Sequence, residues 1–109
     1  MIPEKHMELI KKIRHKTFED ILNWEITANN YTFLVSFPSY SISIRELDDE
    51  TYTLEITDQN GDTIDEINQK ELDFDQLVFR DYFKDIYDGA RRKARGAEQA
   101  VDALLTALD

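Results

Sequence analysis

Between Phe33 and Ile56 apolar side chains fall on every second position: Phe33, Val35 and Phe37, then Tyr40, Ile42 and Ile44, then Tyr52, Leu54 and Ile56. Alternate residues of an extended chain point to opposite faces, so this pattern demands strands with one buried and one wet face. Antiparallel neighbours must then set apolar against apolar, because a one-residue slip turns the whole set outward. The connections satisfy this. A two-residue loop at Pro38 and Ser39 puts Phe37 opposite Tyr40, Val35 opposite Ile42 and Phe33 opposite Ile44. A three-residue loop at Asp48, Asp49 and Glu50 puts Ile44 opposite Leu54 and Ile42 opposite Ile56. Asp58-Gln59-Asn60-Gly61 has Asp at the first position and Gly where φ must be positive, which fits a type I turn with a bulge and predicts Ile56 opposite Ile64. A loop at Asn29 and Asn30 would bring Ile26 opposite Phe33 and Trp24 opposite Val35.

A sheet with one apolar face needs a cover, and only the two ends of the chain supply one. From Glu4 to Asn23, Met7, Ile10, Ile13, Phe18, Ile21 and Leu22 recur at three- and four-residue steps behind Pro3, the pattern of an amphipathic helix. From Asp73 or Asp75, either of which could cap a helix, Phe83, Tyr87, Ala90, Ala94, Ala97, Val101, Leu104 and Leu108 alternate four and three apart like a coiled-coil seam. The expected fold is therefore one α+β domain: a helix over 1–23, a four- or five-stranded antiparallel meander over 24–72, and a long helix or helix pair over 73–109 packed on one sheet face.

An unbroken helix from Asp75 to Leu108 would be about 51 Å long, against a diameter of roughly 35 Å for a compact domain of this size. The helix must project or break. Gly96 is the expected breaking point, in preference to Gly89; each costs a helix interior about 1 kcal/mol relative to Ala. With a break, two helices would cover the sheet. Without one, Val101, Leu104, Leu105 and Leu108 would form an apolar stripe beyond the domain, demanding a second copy. Ala90, Ala94, Ala97, Val101, Leu104, Leu105 and Leu108 are the expected oligomerisation residues of a homodimer.

The formal charge is −10, and its distribution is uneven. Residues 24–74 carry two Lys/Arg against twelve Asp/Glu, whereas the segments on either side are close to neutral. The register above places Glu55 opposite Asp65 on the solvent face, where like charges destabilise a sheet. With Asp48, Asp49, Glu50, Asp58, Asp62 and Glu66 near the hairpin ends, these carboxylates are the expected docking site for a protein partner with a basic surface. A solvated face that keeps the edge unpaired would use the same residues.

Other chemistries find little support. The overall charge repels nucleic acid, and the one basic run, Arg91, Arg92, Lys93 and Arg95, pairs at helical spacing with Asp88 and Glu98 and has no interleaved aromatics. His6 and His15 are nine residues apart on a helix and face different ways, so no metal site is expected. The Gly of Asp58–Glu66 stands at the wrong position for an EF-hand loop. There is no phosphate-binding loop, no nucleophile elbow and no sign of a water-excluding carboxylate pair, so neither a cofactor nor catalysis is expected. With no cysteine, no signal-peptide core and no run of ~18 apolar residues, the chain reads as cytoplasmic and without a membrane span. In size, acidity and α+β plan it resembles immunity proteins, antitoxins, phage-encoded inhibitors and small secretion chaperones. That resemblance implies a non-catalytic module that neutralises or regulates a protein partner. The second reading is an accessory subunit that assembles through its C-terminal helix, and the third is a small enzyme with a carboxylate site.

Overall fold

The computed structural model describes residues 1–109. Helix α1 (Glu4–Phe18) precedes strands β1 (Glu25–Ile26), β2 (Thr32–Ser36), β3 (Tyr40–Asp48), β4 (Thr51–Asp58) and β5 (Thr63–Asn68), and helices α2 (Arg80–Ala94) and α3 (Ala97–Leu108) complete the chain. The five strands form one antiparallel meander in sequence order. The α+β plan of helix, meander and C-terminal helices is the one the alternation predicts.

Register follows the loops closely. Phe33 pairs with Ile44, Val35 with Ile42, Ile42 with Ile56 and Ile44 with Leu54, all as expected, and Ile26 pairs with Phe33. At the β3–β4 connection the loop is tighter than expected. Asp48 pairs with Thr51, a bulge takes up Leu47, and Glu50 adopts a positive φ of 57°. The inner register survives because the extra residue sits in the strand instead of the loop.

The β4–β5 pairing overturns one expectation. The turn forms as read, with Gly61 at φ 85° and Thr57 opposite Thr63, but a bulge then inserts Ile64, so Ile56 faces Asp65 and Glu55 faces Glu66. The physical reason is on the next residues. Without the bulge Glu66 would face Leu54 on the apolar side; with it, Ile67 takes that place and is buried.

The inner face carries Phe33, Val35, Ile42, Ile44, Tyr52, Leu54 and Ile67 into one core with Met7, Ile10 and Ile13 of α1 and Phe83, Ile86, Tyr87 and Ala90 of α2. The two helices lie side by side and run the same way: Arg14 meets Asp85, and Asp20 meets Lys93. A Cβ on Gly89 would stand 2.5 Å from the Thr17 methyl, so this glycine sets how closely they approach. Before α2, a 3₁₀ turn over Phe74–Phe79 starts on a capping box between Asp73 and Gln76. The Gln76 amide also accepts from the Ile2 backbone N–H at 3.0 Å and donates to its carbonyl, fastening the first residues to the 3₁₀ turn that leads into α2.

Both terminal helical segments are shorter than the periodicity implies. α1 ends at Phe18 because Asp20 turns left-handed (φ 59°), with backbone bonds from Asp20 to Thr17 and from Ile21 to Lys16 closing the last turn. Gly96 breaks the C-terminal helix as expected, at φ 67°. The break does not, however, make α3 a second cover. No residue of α3 is buried, and every residue from Glu98 onward is exposed. Five strands about 4.8 Å apart make a sheet about 19 Å wide, and two helices about 10 Å apart already fill that width. α3 is left outside, and the molecule measures 51 × 34 × 25 Å.

Candidate functional site

The eight carboxylates expected to dock a partner do not form one field. Asp48, Asp49 and Glu50 lie at the β3–β4 turn and Asp58 and Asp62 at the β4–β5 turn, at opposite ends of β4, about 24 Å apart at 3.4 Å per residue. Asp65, placed by the bulge on the helix side, meets His6 of α1 at 3.1 Å. Glu55 and Glu66 share the outer face as a like-charge pair, but each has its own partner. Arg45 reaches Glu55 at 3.4 Å, and the buried Thr53 hydroxyl donates to Glu66 at 2.9 Å. Asp48 is bridged by Lys70 at 3.5 Å. Most of these charges thus have a role inside the fold.

The end of the sheet bearing Asp58 and Asp62 is different in kind. Asp58 accepts backbone N–H bonds from Asn60 and Asp62 at 2.9 and 3.0 Å, holding the turn, while Gln59 donates to the Pro38 carbonyl at 2.9 Å and ties this turn to the β2–β3 turn. Phe37 and Tyr40 belong to the inner face by register, yet the helices stop short of them and Tyr40 is 52% exposed. Ile64, thrust out by the bulge, is 55% exposed. Two aromatics, Phe37 and Tyr40, therefore stand beside Asp58, the cross-strand partner of Tyr40, and the unpaired Asp62 on adjoining, cross-linked turns. Alternation assigned Phe37, Tyr40 and Ile64 to the core. The available signal was distance: they lie at the strand ends, where helix cover runs out.

The expected oligomerisation residues divide at the break. Ala90 is fully buried in the core and Ala94 packs partly against it, Ala97 is half-buried, and Val101, Leu104, Leu105 and Leu108 are exposed.

A cleft of about 410 Å³ lies where the end of α1, α2 and the start of α3 meet. Its four carboxylates are all neutralised by ion pairs: Asp20 with Lys93 (3.0 Å), Asp85 with Arg14 (2.8 Å), Asp88 with Lys84 (2.9 Å) and Glu98 with Arg92 (2.7 Å). Glu98 thus takes Arg92 and not Arg95, as helix spacing alone had implied. Arg95 instead donates to the Asn30 carbonyl at 2.7 Å and sits over the Phe33 ring. No group of three His, Asp or Glu side chains gathers as a metal cage, and no helix is long and apolar enough to cross a membrane.

Two groups with perturbed ionisation belong to the core. Tyr52 and Tyr87 stack at 4.8 Å between centroids, and burial, followed by the charge of Glu46, raises both phenols above their ordinary value. A raised folded pKa contributes stability that is complete below the unfolded value and lost as pH climbs through the folded one. Alkaline titration should therefore show two of the five tyrosines ionising late, together with loss of helix signal; a phenolate absorbance that rises fully before unfolding would contradict this.

The site and fold define a small α+β domain built of a helix pair on a five-stranded antiparallel meander with a free third helix. No protein-family model matches the chain, and no curated protein and no solved structure shows significant similarity to it.

Proposed function

We infer that the chain is a non-catalytic, acidic protein-binding module of the cytoplasm that neutralises or regulates a protein partner with a basic surface. The observation that supports this most directly is the exposed pair Phe37 and Tyr40 beside Asp58 and Asp62. Aromatic residues in a small apolar centre with charges at its rim are the composition of binding hot spots. A formal charge of −10 steers a cationic surface toward them. The partner's complement would be an apolar pocket bordered by Lys or Arg.

A second reading, an accessory subunit that assembles through α3, is favoured by the exposure of that helix. Affinity capture separates the two. Under the first reading, Tyr40→Ala and Asp62→Lys should each lower capture of the partner roughly tenfold or more, and binding should weaken with salt. A chain truncated after Arg95 should still capture it. Unchanged capture by Tyr40→Ala and Asp62→Lys, with loss on truncation, would reject the sheet-end site in favour of α3. Both substituted side chains are exposed, so the fold should survive.

A further inference from the structure

Nothing within the chain covers the apolar stripe of α3, where Leu104 is 60% and Leu108 83% exposed. A helix of twelve residues alone in water is marginal even with good helix formers. We propose that a second copy of this chain covers the stripe, with α3 packed antiparallel on α3 so that Ala97 lies beside Leu108, and Val101 beside Leu104, of the second copy. This goes beyond the reading above and rests on a different surface.

Three features of α3 select a second copy in that direction. The first is volume. Ala97, Val101, Leu104 and Leu108 follow the four-three-four spacing of a seam, and the antiparallel register sets a small residue against a large one in every layer. A parallel pair would set Ala97 on Ala97 and Leu108 on Leu108, leaving a gap at one end. The second is the flanks. By helical periodicity Ala100 and Ala107 border the seam on one side and face each other across the pair, allowing close approach. Glu98 and Leu105 border it on the other and also face each other, so no carboxylate opposes a carboxylate. The third is charge at the ends. Asp109 comes level with Gly96 of the second copy, next in sequence to Arg95, which has no carboxylate partner within its own chain. Antiparallel helix dipoles add to the attraction.

The stripe offers on the order of several hundred Å² per copy, less than the roughly 800 Å² per partner of a standard interface. Association should therefore be weak and concentration-dependent. In sedimentation equilibrium of the full chain, with moderate salt to screen repulsion between two acidic molecules, the mass should rise from 12.8 kDa toward twice that value between micromolar and millimolar concentration. Leu104→Glu with Leu108→Glu should hold it at the single-chain mass without shifting the unfolding midpoint. A monomer at every concentration overturns the proposal, as does a dimer indifferent to the two substitutions. The chain has no cysteine, which makes the register directly testable. A mixture of Ala100→Cys and Ala107→Cys chains should form a disulfide dimer roughly tenfold faster than either alone, because like positions are too far apart to bridge. Equal rates in the mixture and the separate samples overturn the antiparallel arrangement.

Discussion

Phe83→Ala should lower folding stability by about 3–5 kcal/mol, whereas Leu104→Ala, three heptads further along the same apolar seam, should change it by no more than about 0.5 kcal/mol. Phe83 has no exposed surface and stands on α2 in the middle of the sixteen-residue core, so its loss leaves a cavity that packed neighbours on two layers cannot fill. Leu104 touches solvent in the isolated chain. A domain of this size has in total about 5–15 kcal/mol to lose, so the first variant should forfeit a large part of it. Urea midpoints, with the slope unchanged, give the comparison. The measurement belongs at low protein concentration, where any pairing through α3 is absent. Similar losses for the two variants would mean that α3 folds back on the domain in solution.

Gly89→Ala should be destabilising in the natural chain and neutral or stabilising in a chain that also carries Thr17→Ser. Taken alone, the substitution favours a helix interior by about 1 kcal/mol. Here the new Cβ would meet the Thr17 methyl at 2.5 Å. Thr17 cannot simply rotate away, because its hydroxyl donates to the Ile13 carbonyl at 2.7 Å and accepts from the Trp24 indole at 3.1 Å. The helices must part instead, and forced separation in a packed layer costs about 1–3 kcal/mol. Serine keeps the hydroxyl and its two bonds but removes the methyl, so the penalty disappears and the propensity gain remains. The sign change across the double-mutant cycle is the diagnostic quantity. If Gly89→Ala has the same effect in both backgrounds, the glycine is not there for the helix contact.

The contrast between these two sites also shows what could be read from the chain. Registers such as Val35–Ile42 and Ile44–Leu54 were legible because a short loop leaves one pairing that keeps apolar residues together. The bulge at Ile64 was harder, since Ile56 opposite Ile64 looks ideal locally. Its failure emerges only two residues later, where that register would bury Glu66 and expose Ile67. Gly96 was legible as a break, but the fate of α3 depends on how much sheet remains uncovered, a property of the assembled layers that no local pattern encodes. Gly89 shows the same limit: sequence marks it as a weak point, and only the neighbouring helix shows its use. The sheet-end surface was half visible, with Asp58 and Asp62 marked by charge, while Phe37 and Tyr40 were counted with the core.

The parallel pairing of α1 and α2 also fixes an order of events during synthesis. Each β-hairpin can close as soon as its second strand leaves the ribosome, because its partners are neighbours in sequence. α1 has no such neighbour: Ile2 meets Gln76 74 positions on, and Arg14 meets Asp85 71 positions on. At about 5–20 residues per second, α1 emerges and then waits for several seconds before its mate exists. During that interval Met7, Ile10 and Ile13, buried in the finished molecule, are exposed on a nascent chain with a half-built sheet. The helix is thus made well before the residues it docks against, Asp65, Gln76 and Asp85, and its apolar side stays open until they exist.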